Sequence, residues 1–247
     1  MKTLLDTLQR SFLAVALPAA LVLAGCGKDD ESPAPAPDQA NVLTVHAAAN
    51  NSTLPIKSTI GDRESANVSY GANSGYRKVL TGSLPVKVTI AAAGGATLTS
   101  GTQTLAKDRY YSYFVYSAVG QATNTSANLW VEDDLTVPTT GAKVRLVHVG
   151  QGLVSPLGLS RPDGSGMLVP VVTPISSGAA SAFVAIPSGT ASYNLVNATN
   201  NTIVPLAGAS VLATNFAAGK IYTIVVRGSS SPATSNEQFT IDLITHN

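Results

Sequence analysis

Four short blocks of sequence between residues 41 and 247 each match a second, similar block later in the chain, and the four pairs follow the same order. The first copy holds residues 42–46, 76–82, 109–115 and 129–133, and the second holds residues 144–148, 183–189, 220–226 and 239–243. Each block is a short run rich in Val, Ile, Leu, Thr and Tyr that is bounded by turn-forming residues, and no capped helical pattern exceeds about ten residues. The repeat therefore predicts two copies of one all-β unit.

The two copies predict two tandem domains, residues 41–138 and 142–247. Strand-like runs at intervals of about 8–12 residues are typical of a β-sandwich or a barrel, and about one hundred residues is an ordinary domain size. Between the copies, Pro138 and Gly141 would interrupt a continuous strand.

Strand geometry assigns directions to several side chains. Because successive residues of a strand point to opposite faces, Val144 and Leu146 share one face with His148. Tyr111 and Tyr222 stand in the most apolar strands, and we interpret them as tyrosine corners whose hydroxyl groups bond to the backbone. The glycines that end the second block, Gly82 and Gly189, are expected to turn the chain towards the next strand.

Three of these features together resemble a bacterial family called domain of unknown function 4397. They are residues 144–148 at the start of a unit, the aromatic residue six positions before a glycine, and residues 219–226. The resemblance covers nearly all of residues 41–247 and implies secreted or lipid-anchored proteins with immunoglobulin-like, antiparallel β-sandwich domains. It implies no catalytic residue. The turn Ala-Ser-Pro-Asp-Ala-Pro that usually follows the histidine in the family is replaced here, at residues 47–51 and 149–153.

The N-terminus predicts a lipoprotein signal peptide over residues 1–25. A basic start precedes the apolar residues 12–23, which are too few to span the ~30 Å hydrocarbon core but suit a signal sequence. Residues 23–26, Leu-Ala-Gly-Cys, resemble the lipobox of bacterial lipoproteins. In that family the cysteine sulfur is acylated and the chain is cut just before it, so Cys26, the only cysteine, is the predicted lipid attachment site.

Residues 26–40 are predicted to be a lipidated tether. Alternating Ala and Pro at residues 33–37 favour an extended polyproline II segment. Gly27 after the cysteine resembles the outer-membrane signal of enteric lipoproteins, which makes the outer membrane the expected location. The charged run at residues 28–31 resembles a surface-export signal or is a soluble spacer, and the face of the membrane stays open.

Charge and composition exclude several function classes. The chain has 15 Lys and Arg against 14 Asp and Glu, for a net charge of +1, which argues against nucleic acid as a partner. One Cys and three His are too few for a typical structural zinc site. We find no zincin helix, nucleophile elbow, P-loop or dinucleotide fingerprint. The sequence therefore predicts a non-enzymatic protein without a cofactor.

The ionisable candidates are few. His46 and His148 occupy equivalent positions, which favours a structural role at a strand end. The alternative is that they bind a metal or transfer a proton. That alternative would suit an envelope hydrolase, which is the least favoured of the predicted functions. His246 is expected to be solvated. Residues Glu132, Asp133 and Asp134 form an acidic cluster that is either a calcium site beside the domain joint or a solvated edge.

An aromatic run offers the one candidate binding surface. In a strand, Tyr110, Phe114 and Tyr116 share a face, which is either covered or exposed. If it is exposed, Tyr110 and Tyr116 would bind a glycan or a protein, as in a surface adhesin. The leading prediction is a lipid-anchored cell-envelope protein with a non-catalytic binding or display role, held to the membrane by acyl chains on Cys26.

Overall fold

The computed structural model describes residues 36–120, 125–206 and 211–247. The described strands all lie within Pro37–Asn247, which is one compact unit. There are eighteen β-strands and two 3₁₀ turns, Ala49–Asn51 and Ser235–Glu237, and this described part contains no α-helix. No helix among the described residues is long and apolar enough to cross a membrane.

Eight strands build the first of two β-sandwiches. They are β1 (Gln39–Ala47), β2 (Ile56–Ile60), β3 (Arg63–Glu64), β4 (Asn73–Leu80), β5 (Gly82–Ile90), β6 (Thr97–Leu105), β7 (Tyr110–Tyr116) and β8 (Ala127–Glu132). Inner sheet 1 has the strand order β4-β1-β7-β8, and outer sheet 1 has the order β3-β2-β5-β6. Because β1 begins at Gln39, the first sandwich starts two residues inside the segment predicted as tether.

Ten strands build the second sandwich. They are β9 (Ala142–His148), β10 (Leu157–Pro162), β11 (Leu168–Ile175), β12 (Ala179–Ala180), β13 (Val184–Ile186), β14 (Gly189–Asn197), β15 (Thr202–Ile203), β16 (Val211–Phe216), β17 (Ile221–Arg227) and β18 (Thr240–Thr245). Inner sheet 2 has the order β12-β9-β17-β18, with β13 also paired to β9. Outer sheet 2 has the order β11-β10-β14-β15, with β16 also paired to β14.

The four sheets stack as four layers, with the two inner sheets facing each other. One apolar core fills the space between the sheets of the first sandwich, and a second core does the same in the second. A third cluster joins the inner sheets; its fully buried members include Phe114 and Val225. The prediction of an all-β protein with β-sandwich domains is therefore confirmed.

Strand pairing tests the predicted repeat residue by residue. Val42 lies opposite Arg77 in the first sandwich, and their predicted counterparts Val144 and Val184 lie opposite each other in the second. The first two pairs of blocks are therefore structurally equivalent. In the second copy, the strand equivalent to β4 is split into β12 and β13, which both pair with β9.

The match proposed for the fourth block is wrong by three residues. Tyr111 lies opposite Glu132, whereas Tyr222 lies opposite Thr245 and not opposite Asp242, the counterpart that the sequence match gave to Glu132. The strands concerned, β8 and β18, are mostly half-buried on both faces. Strict alternation of apolar and polar residues is what fixes a register, and these strands lack it.

One pair of strands in each sandwich departs from the expected antiparallel arrangement. β1 runs parallel to β7, with Val42 beside Tyr111, and β9 runs parallel to β17, with Val144 beside Tyr222. These four strands lie at the centres of the inner sheets and are buried on both faces for most of their length. Burial on two faces explains why they are the most continuous apolar runs of the sequence.

The two predicted tyrosine corners are confirmed. The hydroxyl of Tyr111 accepts a hydrogen bond from the backbone N–H of Ala106 at 3.1 Å, and that of Tyr222 accepts one from Ala217 at 3.0 Å. Both tyrosines are buried, and each bond spans five residues of chain. Each corner therefore fixes the loop that enters β7 or β17 to its own core.

Candidate functional site

The contact between the two sandwiches is extensive and mostly apolar. Val45 and Ala47 of β1 belong to the same cluster as Val147 and Val149 of the second sandwich, and all four are at most 3% exposed. Close packing on this scale resembles a protein core more than a contact between mobile domains. The two sandwiches of Pro37–Asn247 therefore form one body.

A buried ion pair lies within this contact. Asp133 follows β8 of the first sandwich, and Arg145 is in β9 of the second; their side chains are 0% and 1% exposed. Ser112 stands between them, donating to Asp133 Oδ2 at 2.9 Å and accepting from an Arg145 guanidinium nitrogen at 3.1 Å. The guanidinium also lies over the ring of Phe183, 4.6 Å from its centre. Hydrogen bonds of this kind offset the cost of removing both charges from water.

Three more side chains close this pair into a hydrogen-bonded ring. Arg145 Nε donates to Thr223 Oγ1 at 2.8 Å, and the Thr223 hydroxyl donates to His246 Nε2 at 2.7 Å. His246 Nδ1 then donates to the Tyr76 hydroxyl oxygen at 2.7 Å, because the Tyr76 hydroxyl donates its proton to Asp133 Oδ2 at 2.6 Å. The ring assigns the neutral, Nδ1-protonated tautomer to His246.

The expectation that His246 is solvated is wrong. His246 is half-buried, its imidazole is held by hydrogen bonds at both nitrogens, and the ring of Phe183 meets it edge-on with centroids 6.0 Å apart. Burial lowers the pKa of His246 to about 4, with nearby Asp133 opposing the shift and Arg145 adding to it. The position of His246 near the C-terminus did not indicate this burial. It arises because β18 pairs with β17 and so places the C-terminal residues against the sandwich.

His46 and His148 are both completely buried. The residues on either side of His46 point into the contact between the sandwiches, so alternation turns His46 into the core of its own sandwich. His46 Nδ1 accepts the Ala48 N–H at 3.3 Å, and His148 Nε2 donates to the Val154 carbonyl at 3.1 Å. Burial lowers the pKa of His46 to about 4 and lowers that of His148. The His148 contact is the loop-carbonyl bond expected of a structural histidine.

The three acidic residues of the predicted cluster point to three different cations. Glu132 pairs with Arg109 at 3.1 Å, Asp134 pairs with Lys143 at 2.9 Å, and Asp133 is the buried partner described above. Lys143 and two bonds from Thr136 hold the pKa of Asp134 down, to about 2. Within the described residues, no group of three or more His, Cys, Asp or Glu side chains is arranged to hold a metal ion.

The aromatic residues on one face of β7, Tyr110, Phe114 and Tyr116, are partly exposed and partly buried against the second sandwich. Tyr110 is 37% exposed and meets the Tyr76 ring edge-on, with centroids 5.1 Å apart. Phe114 is fully buried, and Tyr116 is partly buried against the cluster that joins the sandwiches. The face that carries these residues is therefore covered mainly by the second sandwich, and Tyr110 and Tyr116 stand roughly 20 Å apart along the strand. A binding role for the two tyrosines stays a prediction.

A cleft opens at one end of the contact between the sandwiches. Its volume is about 530 Å³, and among described residues it is lined by Ala49, Asn50, Ser52, Thr53, Val119, Gly120, Gln151, Ser229, Ser230, Ser231, Ala233 and Glu237. These come from four loops, which follow β1 and β7 in the first sandwich and β9 and β17 in the second. Each copy of the repeat therefore contributes the same two loops to the cleft, which we call the four-loop cleft.

Glu237 is the charged residue of the described lining. The Ser52 hydroxyl, from the opposite sandwich, donates to Oε1 at 2.5 Å, and the Ala233 N–H donates to Oε2 at 2.6 Å. These and further bonds from Thr234 outweigh burial and lower the pKa of Glu237, so the carboxylate is ionised at neutral pH. Gln151 crosses the contact in the other direction, donating to the Ala118 carbonyl at 3.1 Å.

Sequence reasoning missed the four-loop cleft because its lining consists of residue types that are ordinary in turns. One signal was present: both turns in which the chain departs from the pattern of the resembling family contribute lining residues, Asn50 and Gln151. The cleft is also remote from the point at which the chain enters the sandwich. β1 begins at Gln39 and runs for nine residues, roughly 30 Å, towards the cleft.

The lipid attachment site predicted at Cys26, with the signal peptide and most of the tether, lies outside the described residues. The structure thus describes the body beyond the predicted anchor. Its architecture defines a tandem β-sandwich protein with a duplicated topology.

Comparison with known protein families finds a match over part of this body. Residues 58–153 match the model of the family described as "Domain of unknown function (DUF4397)", which is the family that the sequence resembles, over a shorter range than the predicted residues 41–247. The match begins within β2 and ends just after β9, so it runs across the junction between the sandwiches. No curated protein matches the chain.

Proposed function

We propose that the protein is a lipid-anchored component of the cell envelope, whose double β-sandwich has a non-catalytic binding or display role. Acyl chains on Cys26 would hold it to the outer membrane, and the segment after Cys26 would serve as tether. One acyl chain binds a membrane only marginally, whereas two or three give stable attachment. The face of the membrane on which the body stands is left open by this proposal.

The observation that carries the proposal is that the chain enters the body at one end and the four-loop cleft lies at the other. The chain enters at Gln39, at one end of β1, and the four-loop cleft lies at the other end. An anchor at the entry end therefore favours presentation of the cleft away from the membrane. The buried Asp133–Arg145 pair and the apolar contact support this role, because they keep the loops of both sandwiches in a fixed arrangement.

Fractionation of cells that produce the wild-type chain or Cys26→Ser tests the anchor. The wild-type protein is expected in the membrane fraction, with an acylated N-terminal cysteine by mass spectrometry, and the variant in the soluble fraction. A Cys26→Ser protein that still floats with membranes would refute the anchor. Proteolysis of intact cells then separates surface display, in which the body is cut, from a periplasmic location, in which it is protected.

The alternative, an adhesin that uses Tyr110 and Tyr116, keeps one supporting observation, the exposure of Tyr110. Glycan-array binding that is lost in the double variant Tyr110→Ala/Tyr116→Ala would favour it. A wild-type protein that binds no glycan would remove its glycan-binding form.

A further inference from the structure

We propose that the four-loop cleft is a binding site for an extended peptide segment that carries no net negative charge. This inference rests on the proposed binding role and names the ligand class and the site. The volume of the cleft, about 530 Å³, falls within the range of ~300–1,000 Å³ that is usual for ligand sites. Its walls come from two sandwiches that pack as one body, so the cleft is formed before any ligand arrives.

The polar groups of the lining suit a peptide backbone. Ser230 and Ser231 on one wall and Thr53 on the other are exposed, and their hydroxyl groups both donate and accept hydrogen bonds. An extended backbone alternates N–H donors with carbonyl acceptors and needs such dual-purpose partners on both sides.

The rim of the cleft adds an apolar component. Val119 in the lining is 75% exposed, and Leu54, next to Thr53, is 48% exposed. They are two of the most exposed large apolar side chains of the described residues, and both lie at this end of the body. Apolar side chains of a bound peptide would cover them and gain the corresponding burial energy.

Charge selects among peptides. The carboxylate of Glu237 is the one charge that the described lining residues supply, and no Lys or Arg is among them. Glu237 is buried and its carboxylate accepts hydrogen bonds from Ser52 and Ala233, so it acts on a ligand through its charge and not through direct contact. An acidic segment would be repelled by this charge without a compensating cation, whereas an uncharged or basic segment would not. Glycans fit less well, because the described lining contains no aromatic ring on which a sugar could stack.

The test uses the purified full-length protein and arrays of short immobilised peptides in three sets, uncharged, basic and acidic, beside a glycan array. The wild-type protein is expected to bind members of the uncharged and basic sets and to leave the acidic set at background. Ser230→Trp fills the cleft from one wall and should weaken binding at least tenfold. Ser100→Trp, the same change at an exposed position of β6 in outer sheet 1, should leave binding within twofold.

Thr53→Trp fills the cleft from the other sandwich and decides the case if Ser230→Trp fails to fold. The inference is overturned if the wild-type protein binds no peptide, if it binds glycans in the cleft, if it prefers the acidic set, or if both cleft variants bind as Ser100→Trp does. Cys26→Ser leaves the cleft unchanged and should bind peptides like the wild type. Failure of the anchor and failure of the peptide site are therefore seen in separate measurements.

Discussion

Asp133 and Arg145 form an ion pair across the two sandwiches, and neither charged side chain is more than 1% exposed. Asp133 directly follows β8 of the first sandwich, and Arg145 lies in the middle of β9 of the second. Each charge has lost its hydration shell and depends on the other, together with the hydroxyl groups of Ser112, Tyr76 and Thr223. The pair therefore couples the relative position of the sandwiches to the stability of both.

Removing one partner of this pair should be strongly destabilising. Asp133→Ala leaves the Arg145 guanidinium buried without a counter-charge, and we expect the free energy of unfolding to fall by about 3–5 kcal/mol. Asp134→Ala is the matched control, since this neighbouring carboxylate makes an exposed pair with Lys143 and should cost at most about 1 kcal/mol. Urea denaturation measures both. Equal losses in the two variants would contradict a buried, coupled pair.

Acidification should destabilise the protein through His246. Its pKa is about 4 in the folded chain against an ordinary value of 6.5, so between these values the unfolded state binds more protons. The stabilising contribution is complete above pH 6.5 and is lost as the pH falls towards 4, on the order of 3 kcal/mol in all. His46 contributes with the same sign, because its pKa is also lowered to about 4.

His246→Asn separates these contributions. The variant cannot titrate at position 246, so its free energy of unfolding should fall less steeply between pH 6.5 and 4 than that of the wild type. Denaturation curves across this pH range give both slopes, and NMR titration of the wild type should place the His246 midpoint near pH 4. A midpoint near 6.5, or identical slopes, would be incompatible with a half-buried imidazole that is hydrogen-bonded at both nitrogens.

The sequence predicted the repeated topology but not the contact between the copies. Runs such as β7 and β17 identify buried strands, because periodicity and apolar content follow from local geometry. Whether Phe114 faces solvent or another sandwich depends on a docking that no local pattern records. The hydrogen-bonded ring around His246 could not be predicted for the same reason, because Tyr76, Asp133 and His246 are distant in sequence and meet only when the inner sheets stack.

The two tyrosine corners should make equal, local contributions to stability. Tyr111→Phe and Tyr222→Phe each remove the hydroxyl acceptor of a backbone N–H, that of Ala106 or Ala217, without changing the ring. We expect each variant to lose about 1–2 kcal/mol. Tyr113→Phe is the control, because its hydroxyl makes no hydrogen bond with the described residues, and it should change stability by less than about 0.5 kcal/mol. A Tyr113 variant as damaging as the other two would assign the effect to the ring environment.

Gly141, at the junction between the sandwiches, should tolerate no side chain. Its φ is +65°, and an added Cβ would lie 2.1 Å from the carbonyl oxygen of Ile186, a backbone atom that cannot rotate away. Gly82 also has a positive φ, +99°, but an added Cβ there meets nothing within 4 Å. Gly82→Ala therefore measures conformational strain alone, of at least about 1 kcal/mol, and Gly141→Ala should cost clearly more in the same thermal unfolding experiment. If the two variants unfolded at the same temperature, the close approach of residue 141 to the β13 strand would not be what makes a side chain at this position destabilising.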